Sequence, residues 1–343
     1  MKALVLKAYN HLVYEDVPVP EFGDDEVLIR VRACGICGSD VHGMDGSTGR
    51  RIPPIIMGHE ASGVIEAVGS DIRGWAEGDR VTFDSTIYPL DDWYTQMGRY
   101  NLSDGRMVLG VSPGDYRRHG AFAEYVAVPQ HILYKIPESV TFEQAAMVEP
   151  AAVALHGISL TPVSVNDSAV VVGAGMIGIF VIQLLKVAGC GMIIAVDVEQ
   201  EKLDLACRLG AHVGLNPSED DVPKKIAGLT KNRGADIAIE AVGIAPTVNC
   251  ALESVRKGGA VTLVGNTTAR IDFPLQWVVT RELRVQGSCS IRGEYEAVLD
   301  LIGQGAIDPD AILSATAPLS QGASWFQRLY DKEKGLMKVV LKP

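Results

Sequence analysis

The chain has 343 residues, 47% of them hydrophobic and 21% charged, with 36 glycines and a formal net charge of -11. That length suggests two domains, and the composition is that of a soluble, turn-rich enzyme, which argues against a disordered chain. The acidic balance excludes nucleic acid as the expected partner, since phosphate backbones are held by clustered Lys and Arg; the only short basic cluster, Arg117-Arg118-His119, reads as a solvated loop.

The opening "MKALVLKAYN" has neither an extended apolar core nor a small-residue cleavage site, so no secretory signal is visible and a cytoplasmic protein is expected. Residues 1 to about 135 read as short strands, among them "VLIRVRACG", "ASGVIEAVG", "GDRVTF" and "AFAEYVAVP", with helical periodicity hard to find. This half is expected to be a β domain. "MVEPAAVALHGISL" looks helical, and after it the strands "AVVVGAG", "MIIAVDV", "ADIAIEAVG", "AVTLVG" and "ELRVQGS" alternate with helices such as "MIGIFVIQLLKVAG" and "EQEKLDLACRLG". Such alternation predicts a parallel sheet with helices on both faces. A last helix, "YEAVLDLIGQG", and a closing strand, "LMKVVLKP", follow. The uncharged run Ser168 to Leu185 has the length of a membrane span, but its three glycines and the β-branched residues before them fit a buried strand turning into a helix, so no membrane partner is expected.

Within that run, Gly173-Ala-Gly175-Met-Ile-Gly178 follows an apolar strand and opens an amphipathic helix, the context a dinucleotide-binding loop requires. Gly173 is expected to allow the tight turn, Gly175 to admit a pyrophosphate to the backbone, and Gly178 to bring helix and strand together. The helix N-terminus, with Met176 and Ile177 in its first turn, then offers free N–H groups to the diphosphate. Asp197 ends the next strand, where an acid accepts from the ribose 2′-hydroxyl and repels a 2′-phosphate, so NAD is expected over NADP. Val242, Val264 and Gly265, at the ends of later strands, complete the expected cofactor-binding residues. The competing reading is a tight turn with no ligand and an Asp that caps the next helix.

"ACGICGSDVH" carries Cys34 and Cys37 with no second cysteine pair in the chain; the other cysteines, at 190, 207, 250 and 289, are scattered, and all six are expected to be reduced. A lone Cys-x-x-C cannot close a four-cysteine zinc site, and a redox pair belongs beside a strand-to-helix junction that this β-rich region lacks. "MGHEASG" adds His59 and Glu60, and "MVEP" adds Glu149. A thiolate, an imidazole and a carboxylate are what a catalytic zinc takes while keeping one position open. Singly, each has a plainer reading: a turn histidine, a surface acid and a helix-start charge.

Together, "CGICGSDVH", "GHEASGVIEAVGSDI", "GDRV", "GAFAEYV", "MVEPAAVALHG", "VVVGAGMIGIFVIQLLKVAG" and "GLMKVVL" resemble the zinc-containing medium-chain dehydrogenases, in the branch of the sorbitol (L-iditol), galactitol-phosphate and threonine dehydrogenases, over nearly the whole chain. The resemblance implies an α/β fold with an added β domain. A GroES-like β-barrel catalytic domain (1–148) would be closed by a C-terminal segment (288–343) around an inserted doubly wound Rossmann domain (149–287), with the active site in the cleft between them. Carried over by position, Cys37 and His59 bind one catalytic zinc, and Glu60 and Glu149 alternate as ligands or hold its water. Cys34 matches no ligand and is expected to pack. Ser39 and His42 match the family's proton relay towards solvent, although His42 reads equally well as an exposed loop histidine, and Asp40 is expected to orient its neighbours. A homodimer or homotetramer is implied by the family alone.

The chain also departs from that family. Many relatives hold a second, structural zinc with four cysteines where this chain has residues 84–110, but Ser103 replaces the last of them and no cysteine occurs between Cys37 and Cys190. No structural zinc is therefore expected, and the lobe should be held by Tyr88, Trp93, Tyr94, Tyr100 and Leu102. Sorbitol dehydrogenases carry an Arg-Tyr pair where "GSCSIRGEY" has Ser290-Ile291, which makes sorbitol itself doubtful; Arg117, Arg118 and Arg292 are candidates to meet a phosphate. The leading expectation is NAD-dependent, zinc-assisted oxidation of a secondary alcohol on a polyol or sugar-like substrate to a ketone. The alternatives are an L-threonine-type amino-alcohol dehydrogenase, a zinc-free quinone or enoyl reductase, and a non-catalytic NAD-binding sensor.

Overall fold

A computed structural model describes all 343 residues. The chain forms two compact units, Met1–Glu149 with Ile291–Gly305 and Pro309–Pro343 in the first, and Pro150–Ser290 with Ala306–Asp308 in the second.

In the first unit the strand Glu26–Gly35 is the organising element. Six strands run in the order Leu133–Lys135, Arg80–Phe83, Glu60–Val68, Glu26–Gly35, Lys338–Lys342 and Leu313–Pro318, and Tyr125–Pro129 pairs with Glu26–Gly35 as well. Two registers fix what meets at its end. Gly35 stands opposite Glu60 on one side and Val340 on the other, and Cys34 stands opposite Ala61 and Leu341. Alternate side chains of these strands, including Val27, Ile29, Phe83 and Leu341, fill a core shared with Phe122 and Phe326.

Helix is less scarce here than the sequence suggests. "GSDVHGM" forms a helix, Gly38–Met44, and Trp93–Gln96 forms a single turn. Neither is long enough to display a 3.6-residue period, so the periodicity criterion had little to read. "AFAEYVAVP" is strand only over Tyr125–Pro129.

The lobe at residues 84–110 also differs from expectation. Tyr88 and Tyr100 stack with ring centroids 4.1 Å apart, but Trp93 is 66% exposed and touches Tyr94 only edge-on, so it contributes little burial. A carboxylate does what Trp93 does not. Asp84 accepts from the Tyr100 hydroxyl (2.7 Å) and the Thr86 N–H (2.9 Å), and the Tyr100 oxygen accepts in turn from the Gly293 N–H (2.7 Å). Burial pushes the Asp84 carboxyl up to about 6, against the pull of the bonds from Thr86 and Tyr100.

That shift has a sign that can be tested. The folded protein holds this proton more tightly than an unfolded Asp, whose pKa is about 3.9. Stability is therefore lost as pH rises from about 4 to about 6, by about 3 kcal/mol for a shift of roughly two units. Asp84→Asn should abolish that part of the slope, measured as the difference between wild type and variant in urea unfolding near pH 4 and near pH 7. Parallel slopes in the two proteins would refute the assignment.

The second unit is a six-stranded, all-parallel sheet in the order Val213–Leu215, Met192–Val196, Ser168–Val172, Ala235–Glu240, Val255–Leu263, Arg284–Gly287. Numbered within the unit this is 3-2-1-4-5-6, the doubly wound order whose chain reversal lies between the first and fourth strands, where such sheets bind ligands. The uncharged run of membrane length divides into the buried strand Ser168–Val172 and part of the helix Met176–Val187. No helix is long and apolar enough to cross a membrane.

Candidate functional site

Cys37 is the N-cap residue of the helix Gly38–Met44, and His59 and Glu60 enter the adjacent strand from Gly58, whose φ of +97° makes the turn. A side chain at Gly58 would stand 2.9 Å from both the Cys34 sulfur and the Phe122 nitrogen, so the turn is closed to any larger residue. The result is that one donor atom each from Cys37, His59 and Glu60 lies within 4.8 Å of the others. Cys34, three residues before Cys37, is fully buried in the core instead, and that burial pushes its thiol well up. The two cysteines of the pair thus face different environments.

Around the three donors lies a shell of buried charge. Arg51 donates to Asp40 (2.9 Å) and to the Ser39 hydroxyl (3.0 Å), and Ser39 donates to the Cys37 sulfur (3.3 Å). Asp40 lies 3.4 Å from His59 Nδ1. Burial opposes the charge on Asp40, but His59 and Arg51 prevail and hold its carboxyl at about 2. Burial likewise opposes charge on His59, yet Asp40 and Cys37 raise the imidazole well above its ordinary value. Glu60 and Lys338, both with no solvent exposure, form an ion pair, and the ammonium also donates to the Ile36 carbonyl (3.1 Å).

Glu149 lies in the first turn of the helix Val148–Ser159 and outside the cluster of three. Loss of solvent pushes its carboxyl up to about 8, the Glu60 carboxylate adding to the rise while His59 and Lys338 oppose it. Ser39 and His42 share a face of the short helix, but His42 is exposed and no hydrogen bond joins their side chains.

The residues present fit a metal ion. Glu60 Oε1 is a buried polar atom with no hydrogen-bond partner, a costly state that a cation beside it would relieve. One sulfur, one imidazole nitrogen and one carboxylate oxygen make the mixed donor set that zinc favours.

In the second unit the glycine loop has the shape its spacing predicts. Gly173 has φ +95°, and a Cβ at Gly178 would stand 1.8 Å from the Gly173 carbonyl oxygen. A Cβ at Gly175 would meet nothing within 4 Å, which leaves open space beside the N-terminus of the helix that begins at Met176 and Ile177. Asp197 Oδ2 accepts from the Ala174 N–H (2.8 Å), tying the acid to the loop. Val242 closes on Gly173, and Gly265 packs against Val242, so these positions converge at the C-terminal ends of the sheet's inner strands. Val264 follows on the same strand end, its N–H bonded to the Glu240 carbonyl.

Family models match both units. One, described as the alcohol dehydrogenase GroES-like domain, covers residues 23–138, and the other, described as zinc-binding dehydrogenase, covers residues 177–304. The chain belongs to the zinc-binding dehydrogenase family. Among relatives of this dehydrogenase, a sorbitol dehydrogenase from Bacillus subtilis is 32% identical, covering 100% of this chain and 97% of that protein. A galactitol-1-phosphate dehydrogenase from Escherichia coli superposes with TM-score 0.93 at 27% identity, covering 100% of both chains. A structure from Sinorhizobium meliloti 1021 with NADP bound is 32% identical with TM-score 0.92, covering 100% of this chain and 99% of that one.

Four residues of the dehydrogenase escaped the sequence reading. Arg51 and Lys338 supply the buried positive charges, Gly35 leaves room for Glu60, and Glu240 accepts from the Val242 (2.9 Å) and Gly243 (2.8 Å) N–H groups beneath the glycine loop. Only Lys338 carried a signal, as a lone charge inside the apolar run "LMKVVL". The phosphate candidates fare less well. Arg118 is paired with Glu26, and Arg117 donates to the Pro54 (2.9 Å) and Ile52 (3.4 Å) carbonyls. Ile291 is fully buried.

Proposed function

We propose that the chain oxidises a secondary alcohol on a polyol or sugar-like substrate to a ketone, passing the hydride to NAD and releasing a proton. The observation that carries this reading is the trio of Cys37, His59 and Glu60, with a buried, unpartnered Glu60 oxygen, in a family whose relatives include a sorbitol dehydrogenase. Zinc bound there supplies Lewis acidity, which makes the substrate hydroxyl a better proton donor near neutral pH.

The other roles fall to the chain. Asp40 fixes His59 through Nδ1 and leaves Nε2 for the metal, as carboxylate partners of ligating histidines do. Glu60 is the carboxylate ligand. Glu149, outside the trio, holds a water or substrate hydroxyl by hydrogen bonding. Ser39 takes the substrate proton and passes it to the exposed His42, which delivers it to solvent. This requires Ser39 to turn from Cys37, a rotation of one side-chain torsion.

NAD is favoured by Asp197 and by the acids Glu199 and Glu201 that follow it, with no Lys or Arg before Lys202 to meet a 2′-phosphate. The NADP in the Sinorhizobium meliloti structure belongs to that protein. Asp197→Ser should weaken NAD about tenfold, the equivalent of about 1.4 kcal/mol, and narrow the gap to NADP; titration of both cofactors by protein fluorescence reads this, and an unchanged preference would count against the ribose role. A homo-oligomer is supported by Phe273, Leu275, Trp277 and Val279, which are exposed beside the sheet's edge strand Arg284–Gly287.

The test of function is NADH absorbance with NAD and a panel of polyols, polyol phosphates and L-threonine, before and after a strong chelator. Chelator-sensitive turnover of polyols is expected. Turnover of L-threonine alone, or full activity after metal removal, would overturn the reading.

A further inference from the structure

Lys338 and Glu60 are both completely buried, an arrangement whose desolvation penalty hydrophobic residues would not incur. Their geometry shows what the pair accomplishes. The ammonium holds Glu60 Oε2 and the Ile36 carbonyl, while Glu60 Oε1 has no partner and belongs to the residue that completes the donor trio. Gly35 makes the arrangement possible, since a Cβ there would stand 2.3 Å from Oε2. Gly35 itself is fixed between Glu60 and the strand that carries Lys338 by the registers on its two sides.

The charges support the same division of labour. Asp40 and Arg51 cancel one another. A thiolate from Cys37 and a carboxylate from Glu60 would neutralise a divalent cation, and Lys338 restores one positive charge beside it. A carboxylate shared with an ammonium is a weaker metal ligand than a free one, because the same negative charge serves two cations.

We propose that Lys338 is a positioning residue that holds Glu60 by one oxygen, so that Glu60 offers only the other to the metal. This rests on the zinc reading above and adds a partner to it. Without Lys338, Glu60 would embrace the metal with both oxygens, bind it more tightly and obstruct substrate.

The experiment compares wild type, Lys338→Met, Glu60→Gln and the double variant. Each is loaded with cobalt(II) or zinc, followed by visible absorption and by the rate of metal loss to a chelator. Lys338→Met should lose metal about tenfold more slowly, within the range that neighbours of metal ligands command, and its cobalt bands should weaken as coordination number rises. In the Glu60→Gln background the same replacement should change neither quantity. Wild-type protein that binds no metal would sink the zinc reading and this proposal with it. Metal-binding wild type with a Lys338→Met variant that has equal or faster metal loss and an unchanged spectrum would overturn the proposal alone. Should Lys338→Met fail to fold, Glu60→Gln and the double variant decide: equal behaviour supports the proposal, and a difference between them refutes it.

Discussion

Cys37→Ser is expected to abolish stoichiometric zinc and to lower turnover about a thousandfold, whereas Cys34→Ala should leave both within about twofold of wild type. The first figure corresponds to about 4 kcal/mol of transition-state stabilisation, the scale of a metal's Lewis acidity. The second follows from location. Cys34 packs in the core beside Gly58, and trimming it to Ala removes one sulfur's contacts at a cost of about 1 kcal/mol in stability. Metal analysis of both purified variants with steady-state kinetics decides the matter. Zinc lost from Cys34→Ala, or retained by Cys37→Ser, would reverse the ligand assignment.

The second large effect lies in the nucleotide loop, where two glycines should fail differently. At Gly178 the new methyl would overlap the Gly173 carbonyl oxygen at 1.8 Å, and a Cβ has no torsion by which to swing away from that backbone oxygen. Gly178→Ala should destabilise this unit by about 3 kcal/mol or more and remove cofactor binding with it. Gly175 has an extended backbone, and its methyl would meet no protein atom within 4 Å. Gly175→Ala should therefore melt like wild type while its NADH affinity falls, the methyl intruding on the open space where the loop is expected to take a diphosphate. Thermal unfolding paired with NADH fluorescence separates the two. Equal losses of stability in both variants would mean that the open space beside Gly175 is not a ligand site.

What the sequence disclosed and what it hid follow from the range of the interactions. The loop of Gly173, Gly175 and Gly178 was legible because Gly173 and Gly178 answer local demands, for a positive φ and for absent side-chain volume, at a spacing that also includes Gly175. That Cys37, His59 and Glu60 gather as one cluster was legible by residue type, since Cys, His and Glu in two short motifs leave few alternatives once a family pattern joins them. Its charge compensation was not, because Lys338 is 278 residues from Glu60 and only the sheet brings them together. Asp84 was missed for the opposite reason. Acids near aromatic residues are common in loops, and nothing local marks this one as buried. Trp93 was misjudged because size favours burial on average, while a single helical turn at the tip of a lobe has little to bury against.

The position of Lys338 in the chain also sets an order of events during synthesis. At about 5–20 residues per second, 278 residues take roughly 15 s to a minute to emerge after Glu60. Throughout that interval the nascent first unit carries Cys37, His59 and Glu60 without their balancing cation, and the strand Glu26–Gly35 shows an unpaired edge where Lys338–Lys342 will dock. The nucleotide-binding unit has almost its whole sequence available by Ser290 and can fold in the meantime. Cys37, His59 and Glu60 are thus among the first residues made, and the cluster they form is among the last parts of the protein to mature.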